Sequence, residues 1–403
     1  MPIYSYIAKS FDGESKKGTA EAKSKKELAS ILKQDGFFLI SAEMGKTANK
    51  KKKFSLGIKY VSLTEKLMAT RNLQVMIAAG VPLPRALEIL SAQAKNKYFK
   101  KVLGEIKDEV IKGTAFSNAL KKYPRVFPEI YYSMIQVGEE TGKMEEVLDI
   151  LALQLERVHE LRSRIKGAMV YPAVIIAAML IIGVIMLVKV VPQLSETFQE
   201  LEVKLPPMTL FVVGLGNFFV QRWYIVILIF LILVFAIMTL IRSKAGKRHF
   251  DAWLLRVPVI SGLIKKINCA YTSLTLSALI QGGVPIVTAL EISAGAVSNI
   301  YFKEALKVTA KKVQKGERLS SAMSKFSHLY SDLFLQMLQV GEETGETSSM
   351  LAKLADFFED QVNNITKNLS SIIEPVLLLF VGAVVAFFAV AMVQPIYSIM
   401  SGM

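Results

Sequence analysis

The sequence predicts an all-α polytopic membrane protein: two homologous cytoplasmic helical bundles, three transmembrane helices and a small N-terminal α/β appendage. Two observations predict it. Three long runs carry no charged side chain, Ala168 to Val188, Trp223 to Ile241 and Pro375 to Met403, and each reaches the roughly 18 to 20 residues that a helix needs to cross a hydrocarbon core about 30 Å thick. The chain also repeats itself: "QVGEETG" begins at Gln136 and again at Gln339.

The repeat extends well beyond seven letters. At the same offset Gly80-Val81-Pro82 falls on Gly283-Val284-Pro285, Tyr98-Phe99-Lys100 on Tyr301-Phe302-Lys303, Pro172 on Pro375 and Pro192 on Pro395. One ungapped register from Gly80 to Pro192 marks a duplicated module.

Residues 1–45 stand outside the repeat. "PIYSYIAKS", "KKGTAEAKS" and "FFLISAE" alternate like strands, and "KKELASILKQDG" reads as a short helix ending at Gly36. No continuous apolar core of a secretory signal is present, so this block is expected to stay in the cytoplasm. Residues 46–62 form a lysine-rich linker.

The first bundle is expected over 63–167. Leu63, Leu67, Leu73, Ile77, Leu87 and Leu90 recur at three- and four-residue spacings, and the turn at Gly80 and Pro82 separates two helices. The segment around Gly138, Glu139, Glu140 and Gly142 reads as a turn between two later helices. The second bundle, 267–371, carries the same turns at Gly283 and Pro285 and at Gly341, Glu342, Glu343 and Gly345.

Transmembrane helices are expected at 168–191, 223–241 and 372–396, an external loop at 192–222, a basic cytoplasmic linker at 242–266 and an external tail at 397–403. Arg157, Arg162, Arg164 and Lys166 precede the first run, and Arg242, Lys244, Lys247 and Arg248 follow the second. Basic flanks face the cytoplasm. Two copies of one bundle in one compartment require an even number of crossings between them. "LPPMTLFVVGLGNFFVQ" is therefore read as an external interfacial or packing segment. Much of the net charge of +15 is accounted for by these flanks and their lipid headgroups.

No residue constellation supports enzyme chemistry. Gly45-Lys46-Thr47 lacks the glycine that a phosphate-binding loop requires, because Ile40 stands there. His159, His249 and His328 are scattered without metal-ligand spacing. The single cysteine, Cys269, reads as a small packed residue. No catalytic residue, cofactor or nucleic-acid partner is expected.

Glu139 and Glu140, with Glu342 and Glu343, are the candidate site. Two readings stand open. In one, a carboxylate at a helix–helix corner faces the N-terminus of the next helix while Gly142 or Gly345 turns the chain. In the other, the acids contact a partner or offer oxygen ligands to a divalent cation between protomers. Glu374 precedes Pro375 at the membrane edge, where an ionisable group points to function by default. Pro172 and Pro375 suit a first helical turn or a kink.

The combination of both "GVP" turns, both "VGEETG" turns, "YPAV" with "EPVLLLFVGAV", "VVPQ" with "VQPI" and the N-terminal "YSYIAKSFDGESKKGTAEAKSKKELASILKQDGF" resembles the PilC/GspF family. These are inner-membrane platform proteins of type IV pilus and type II secretion machines. The resemblance implies a non-enzymatic homo-oligomer in the bacterial cytoplasmic membrane, linking a cytoplasmic hexameric assembly ATPase to pilin or pseudopilin subunits. Other inner-membrane assembly proteins and lipids are the further partners implied. The N-terminal bundle and appendage, which carry most of the basic surface, are expected to meet the ATPase. A small-solute transporter is the alternative from a different class, since transporters also carry internal repeats.

Overall fold

The structure, a computed structural model, describes residues 3–10, 15–22, 24–44, 60–193, 196, 207–258 and 260–402. The chain forms two compact units, Met1–Lys59 and Tyr60–Met403. The lysine-rich stretch 46–59 and Gly45-Lys46-Thr47 lie outside the described residues.

The first unit holds β1 (Ile3–Ser10), β2 (Ser15–Glu21), α1 (Lys25–Gln34) and β3 (Phe37–Met44). Its antiparallel sheet has the order β2-β1-β3. Successive strand residues face opposite sides, so Tyr4, Tyr6 and Ala8 of β1 share one buried face and pack with Leu28 and Leu32 of α1. Ser24 Oγ caps α1 by accepting from the Glu27 amide.

The second unit is helical. Its first half comprises α2 (Leu63–Ala78), α3 (Leu83–Gln93), α4 (Lys97–Ile111), α5 (Phe116–Lys121), α6 (Glu129–Thr141) and α7 (Met144–Ala168). The apolar helices follow: α8 (Val170–Ile185), which runs on through a π-helical turn at Met186–Val190, then α9 (Pro207–Gln221) and α10 (Trp223–Arg242). After α11 (Lys244–Leu254) the module repeats as α12 (Ile260–Gln281), α13 (Ile286–Ala296), α14 (Ile300–Val313), α15 (Leu319–Ser324), α16 (Asp332–Thr344) and α17 (Thr347–Gly402).

Local chemistry sets the boundaries in matching places. A capping box joins Ser62 and Glu65 at the start of α2. Asn96 and Asn299 cap α4 and α14 by accepting from the Tyr98 and Tyr301 amides. A single core runs through both halves, from Leu73, Phe99, Ile106 and Met134 to Leu276, Phe302, Tyr330 and Phe334. The halves differ in how deeply their first helix is placed. Residues 268–279 of α12 are all buried, whereas α2 buries only Thr70 and Leu73.

Within the basic stretch 242–266, α11 and the start of α12 occupy most of the residues. No break separates the second bundle from the last apolar run: α17 continues through 371 and 372 and on through 397–402. Among the described residues, two apolar stretches are long enough to cross a membrane, within 144–193 and at 223–241, and a shorter one lies at 377–391. Between them, α9 is too short to cross, since 15 residues rise about 22 Å. It packs along the distal ends of the others, with Val212 against Val191 and Ala391 and Thr209 Oγ1 donating to the Ala391 carbonyl at 2.6 Å.

Candidate functional site

The two "QVGEETG" segments form the same corner twice. The α6–α7 turn is made by Gly142 at φ +72° and the α16–α17 turn by Gly345 at φ +75°. A side chain in that left-handed conformation costs about 1–2 kcal/mol, which selects glycine. Gly138 and Gly341 are buried where the helices meet. A β-carbon on Gly138 would lie 3.3 Å from Met144 Cα, and one on Gly341 3.0 Å from Thr347 Cα.

The first glutamate of each pair turns backwards. Glu139 accepts from the Phe116 amide at 2.5 Å, from the Ser117 amide at 3.0 Å and from the Ser117 hydroxyl. Glu342 accepts from the Leu319 amide at 2.7 Å and from the Ser320 amide and hydroxyl at 3.0 and 2.5 Å. The carboxylates therefore face the preceding short helices α5 and α15, not the next helix, as one of the two open readings had it. The reason is local. The first amides of a helix lack intrahelical partners, and the cap positions Ala115 and Arg318 offer no side-chain acceptor, so an acid from the later corner supplies it. Burial opposes ionisation of Glu342, but the bonds from Ser320 and Leu319 outweigh it and hold its pKa below the ordinary value.

The second glutamates, Glu140 and Glu343, are exposed. Each accepts one bond from the glutamine a turn earlier, Gln136 or Gln339, both at 2.8 Å. Among the described residues no cluster of three His, Cys, Asp or Glu side chains is placed to hold a metal ion.

The other candidate residues are not gathered at one site. Gly80 and Pro82 end α2 and begin α3 with nothing within 4 Å of a β-carbon on Gly80, whereas Gly283, ahead of Pro285, lies against Val137 of α6. Pro172 is buried in the first turn of α8. Pro375 lies inside the unbroken α17, and it and Glu374 are exposed.

One polar contact between the halves was not expected. Arg157 on α7 binds Glu359 at 3.1 Å and also pairs with Asp356, both on α17. Burial raises the Glu359 pKa and Arg157 opposes that rise. A signal was available, because the repeat position of Arg157 is Asp360, a reversal of charge between otherwise matching helices. Nearby, Lys66 has its pKa lowered by burial and by Arg162.

The type II secretion system protein F family profile matches residues 69–192 and 272–395, and the N-terminal domain of the same family matches 1–43. The two longer spans stand in the register of the internal repeat. The chain is similar to the type IV pilus assembly protein PilC of Pseudomonas aeruginosa, 35% identical over 82% of this chain and 88% of that protein. It is 31% identical to the protein of that name from Thermus thermophilus, over 99% of this chain and 98% of that protein. The type II secretion system protein F of Xanthomonas campestris is 30% identical over 99% of each chain.

Proposed function

This chain belongs to the type II secretion system protein F family, and from that premise we propose that it is the inner-membrane platform of type IV pilus biogenesis, coupling a cytoplasmic assembly ATPase to insertion of pilin subunits into the filament. The observation that carries this reading is the similarity to proteins named for pilus assembly, 35% identical over 82% of this chain and 31% identical over 99% of it. A second reading, the type II secretion platform acting on pseudopilins, is supported by the similarity to protein F of Xanthomonas campestris at 30%. Both are favoured over a solute transporter.

In this reading the N-terminal unit and both bundles lie in the cytoplasm. Three helices cross the bilayer, at 168–191, 223–241 and 372–396, and the C-terminus is external. The basic residues beside the first two crossings support that orientation. The chain is not itself an enzyme and takes no cofactor: the ATPase supplies the energy, and the helical bundles give it surfaces to move. The apolar helices offer grooves to a subunit's membrane helix. The exposed Glu140 and Glu343 are the contacts through which a basic patch of a partner engages the corners.

The test is co-purification of the detergent-solubilised protein with the filament-motor ATPase and the major pilin of its host. Wild type should capture both, and Glu140→Lys or Glu343→Lys should lose ATPase capture with folding intact. Normal capture by both variants makes the corners purely structural. Failure of the wild type to capture either component, with filaments intact after gene deletion, overturns the platform reading.

A further inference from the structure

Between α10 and α11 the chain passes through one extended residue. Ser243, at φ −70° and ψ 148°, ends α10 and caps α11, its hydroxyl accepting from the Gly246 amide at 3.1 Å. The turn is tight, because a β-carbon on Gly246 would collide with the Leu240 carbonyl near the end of α10. The Gly246 side of α11 is therefore turned toward that end. At about 100° per residue, Phe250 and Trp253 stand on the same side as Gly246, while Arg248, Asp251 and Leu255 stand opposite.

The opposite side is docked on the second bundle. Asp251 is buried and accepts from the Ile300 amide at 2.8 Å, at the start of α14. Arg248 pairs with Glu304 at 3.4 Å and lies over the Tyr301 ring, 5.8 Å from its centroid, and Leu255 packs against the core. The Gly246 side is open. Trp253 is 56% exposed and Phe250 38%, their rings stacked with centroids 6.3 Å apart, and Lys247 is exposed at the edge of the strip. Asp251 is the one acid in α11, against Lys244, Lys247 and Arg248, so the side away from the bundle carries aromatic and basic groups without a carboxylate.

We propose that α11 lies in the plane of the cytoplasmic leaflet, with Phe250 and Trp253 at the boundary of headgroups and acyl chains and Lys247 on anionic phospholipid. Two observations name this occupant. The open strip continues the side that meets the end of α10, so it faces the bilayer that α10 enters one residue earlier. Its aromatic rings and basic edge are also the groups that settle at a membrane surface and bind anionic headgroups. Because the other side of α11 holds α14, the helix fixes the second bundle to the membrane face. The proposal rests on the crossing at 223–241 proposed above.

The experiment is tryptophan quenching of the full chain in nanodiscs of phosphatidylcholine and phosphatidylglycerol. Trp223 and Trp253 are the two tryptophans of the chain, so Trp223→Phe leaves Trp253 as the sole reporter. Lipids brominated close to the headgroup should quench its emission about twofold, and more than lipids brominated at the chain ends. Removing phosphatidylglycerol, or adding Lys247→Glu, should raise quenching by aqueous acrylamide about twofold. A chain with Trp223→Phe, Trp253→Phe and Phe230→Trp reports the middle of α10 in the same discs, and deep bromines should quench it most. If that control behaves so while Trp253 is quenched by acrylamide and not by lipid, the surface helix is overturned and the crossing stands. If bromines quench neither reporter, the crossing itself fails. Lipid quenching of Trp253 that ignores both phosphatidylglycerol and Lys247→Glu overturns the anionic headgroup contact.

Discussion

The Tyr131 hydroxyl meets Thr70 Oγ1 at 3.0 Å inside the first bundle, and at the same two repeat positions the second bundle carries Phe334 and Ser273. The second bundle instead pairs Tyr330 with Thr272 at 3.4 Å. The Tyr131 position has thus lost its hydroxyl in the second half while Ser273 kept one, and the buried Ser273 Oγ has no hydrogen-bond partner.

Thr70→Ala and Ser273→Ala should therefore act in opposite directions. The first strands the Tyr131 hydroxyl, whose pKa burial pushes up to about 12, and should cost about 1–2 kcal/mol. The second removes a hydroxyl already without a partner and should be neutral or stabilise by up to about 1 kcal/mol. Thermal unfolding of the purified protein in detergent reads both, and a loss of more than about 1 kcal/mol in Ser273→Ala would contradict the account.

Arg157→Ala should destabilise the junction of the two halves by about 1–3 kcal/mol, because it leaves Glu359 largely buried beside Asp356 without its cation. Burial already raises the Glu359 pKa, and without Arg157 it rises further. A raised carboxylate pKa means that the folded state takes up the proton more readily than the unfolded one. The deficit is present above the raised pKa and narrows as pH falls through it. The stability difference between wild type and variant, followed by melting as pH is lowered from neutrality, should narrow, by no more than about 1.4 kcal/mol per pH unit.

Glu342→Gln has the opposite signature to that of Glu359. Its pKa lies below the ordinary 4.5, so the carboxylate adds stability that is fully present above that value and lost as pH falls through the lowered one. The variant should be less stable by about 1 kcal/mol near neutrality and equal to wild type at strongly acidic pH. Amide exchange of Leu319 and Ser320 should quicken at pH 7, which a change elsewhere in the fold would not produce.

Gly216→Leu tests whether α9 packs against the apolar helices. A β-carbon there would lie 2.8 Å from the Leu187 carbonyl oxygen and 3.2 Å from Val191 Cγ1. The larger residue should release α9 at a cost of about 1–3 kcal/mol. A cysteine introduced at Met208, half-buried against this cluster, should then react faster with a water-soluble maleimide. Unchanged reactivity would argue that α9 is held by something else.

The duplication and the glycine corners were legible in the sequence for a physical reason: turn chemistry and helical periodicity act within a few residues. "QVGEETG" announced a corner because Gly142 and Gly345 answer a local backbone demand. The apolar runs needed no partner to be recognised, since length and lack of charge suffice. What Glu139 and Glu342 do was not legible. Their amide partners lie 22 and 23 residues earlier, and only folding brings α5 and α15 to the corner.

The sequence by itself determined that this chain is two copies of one helical module joined to apolar helices, because each copy must satisfy the same local rules. Only the tertiary structure decided that the copies are not equivalent. Burial depends on what lies across a face, so matching helices diverged: α12 became a core helix rich in small hydroxyl residues, while α2 kept Met68 and Val75 in the open. The exchanged hydroxyls at Thr70 and Ser273, and the Arg157 pairing with Glu359, follow from that asymmetry. A repeat register read along the chain carries no information about which face of one copy meets the other.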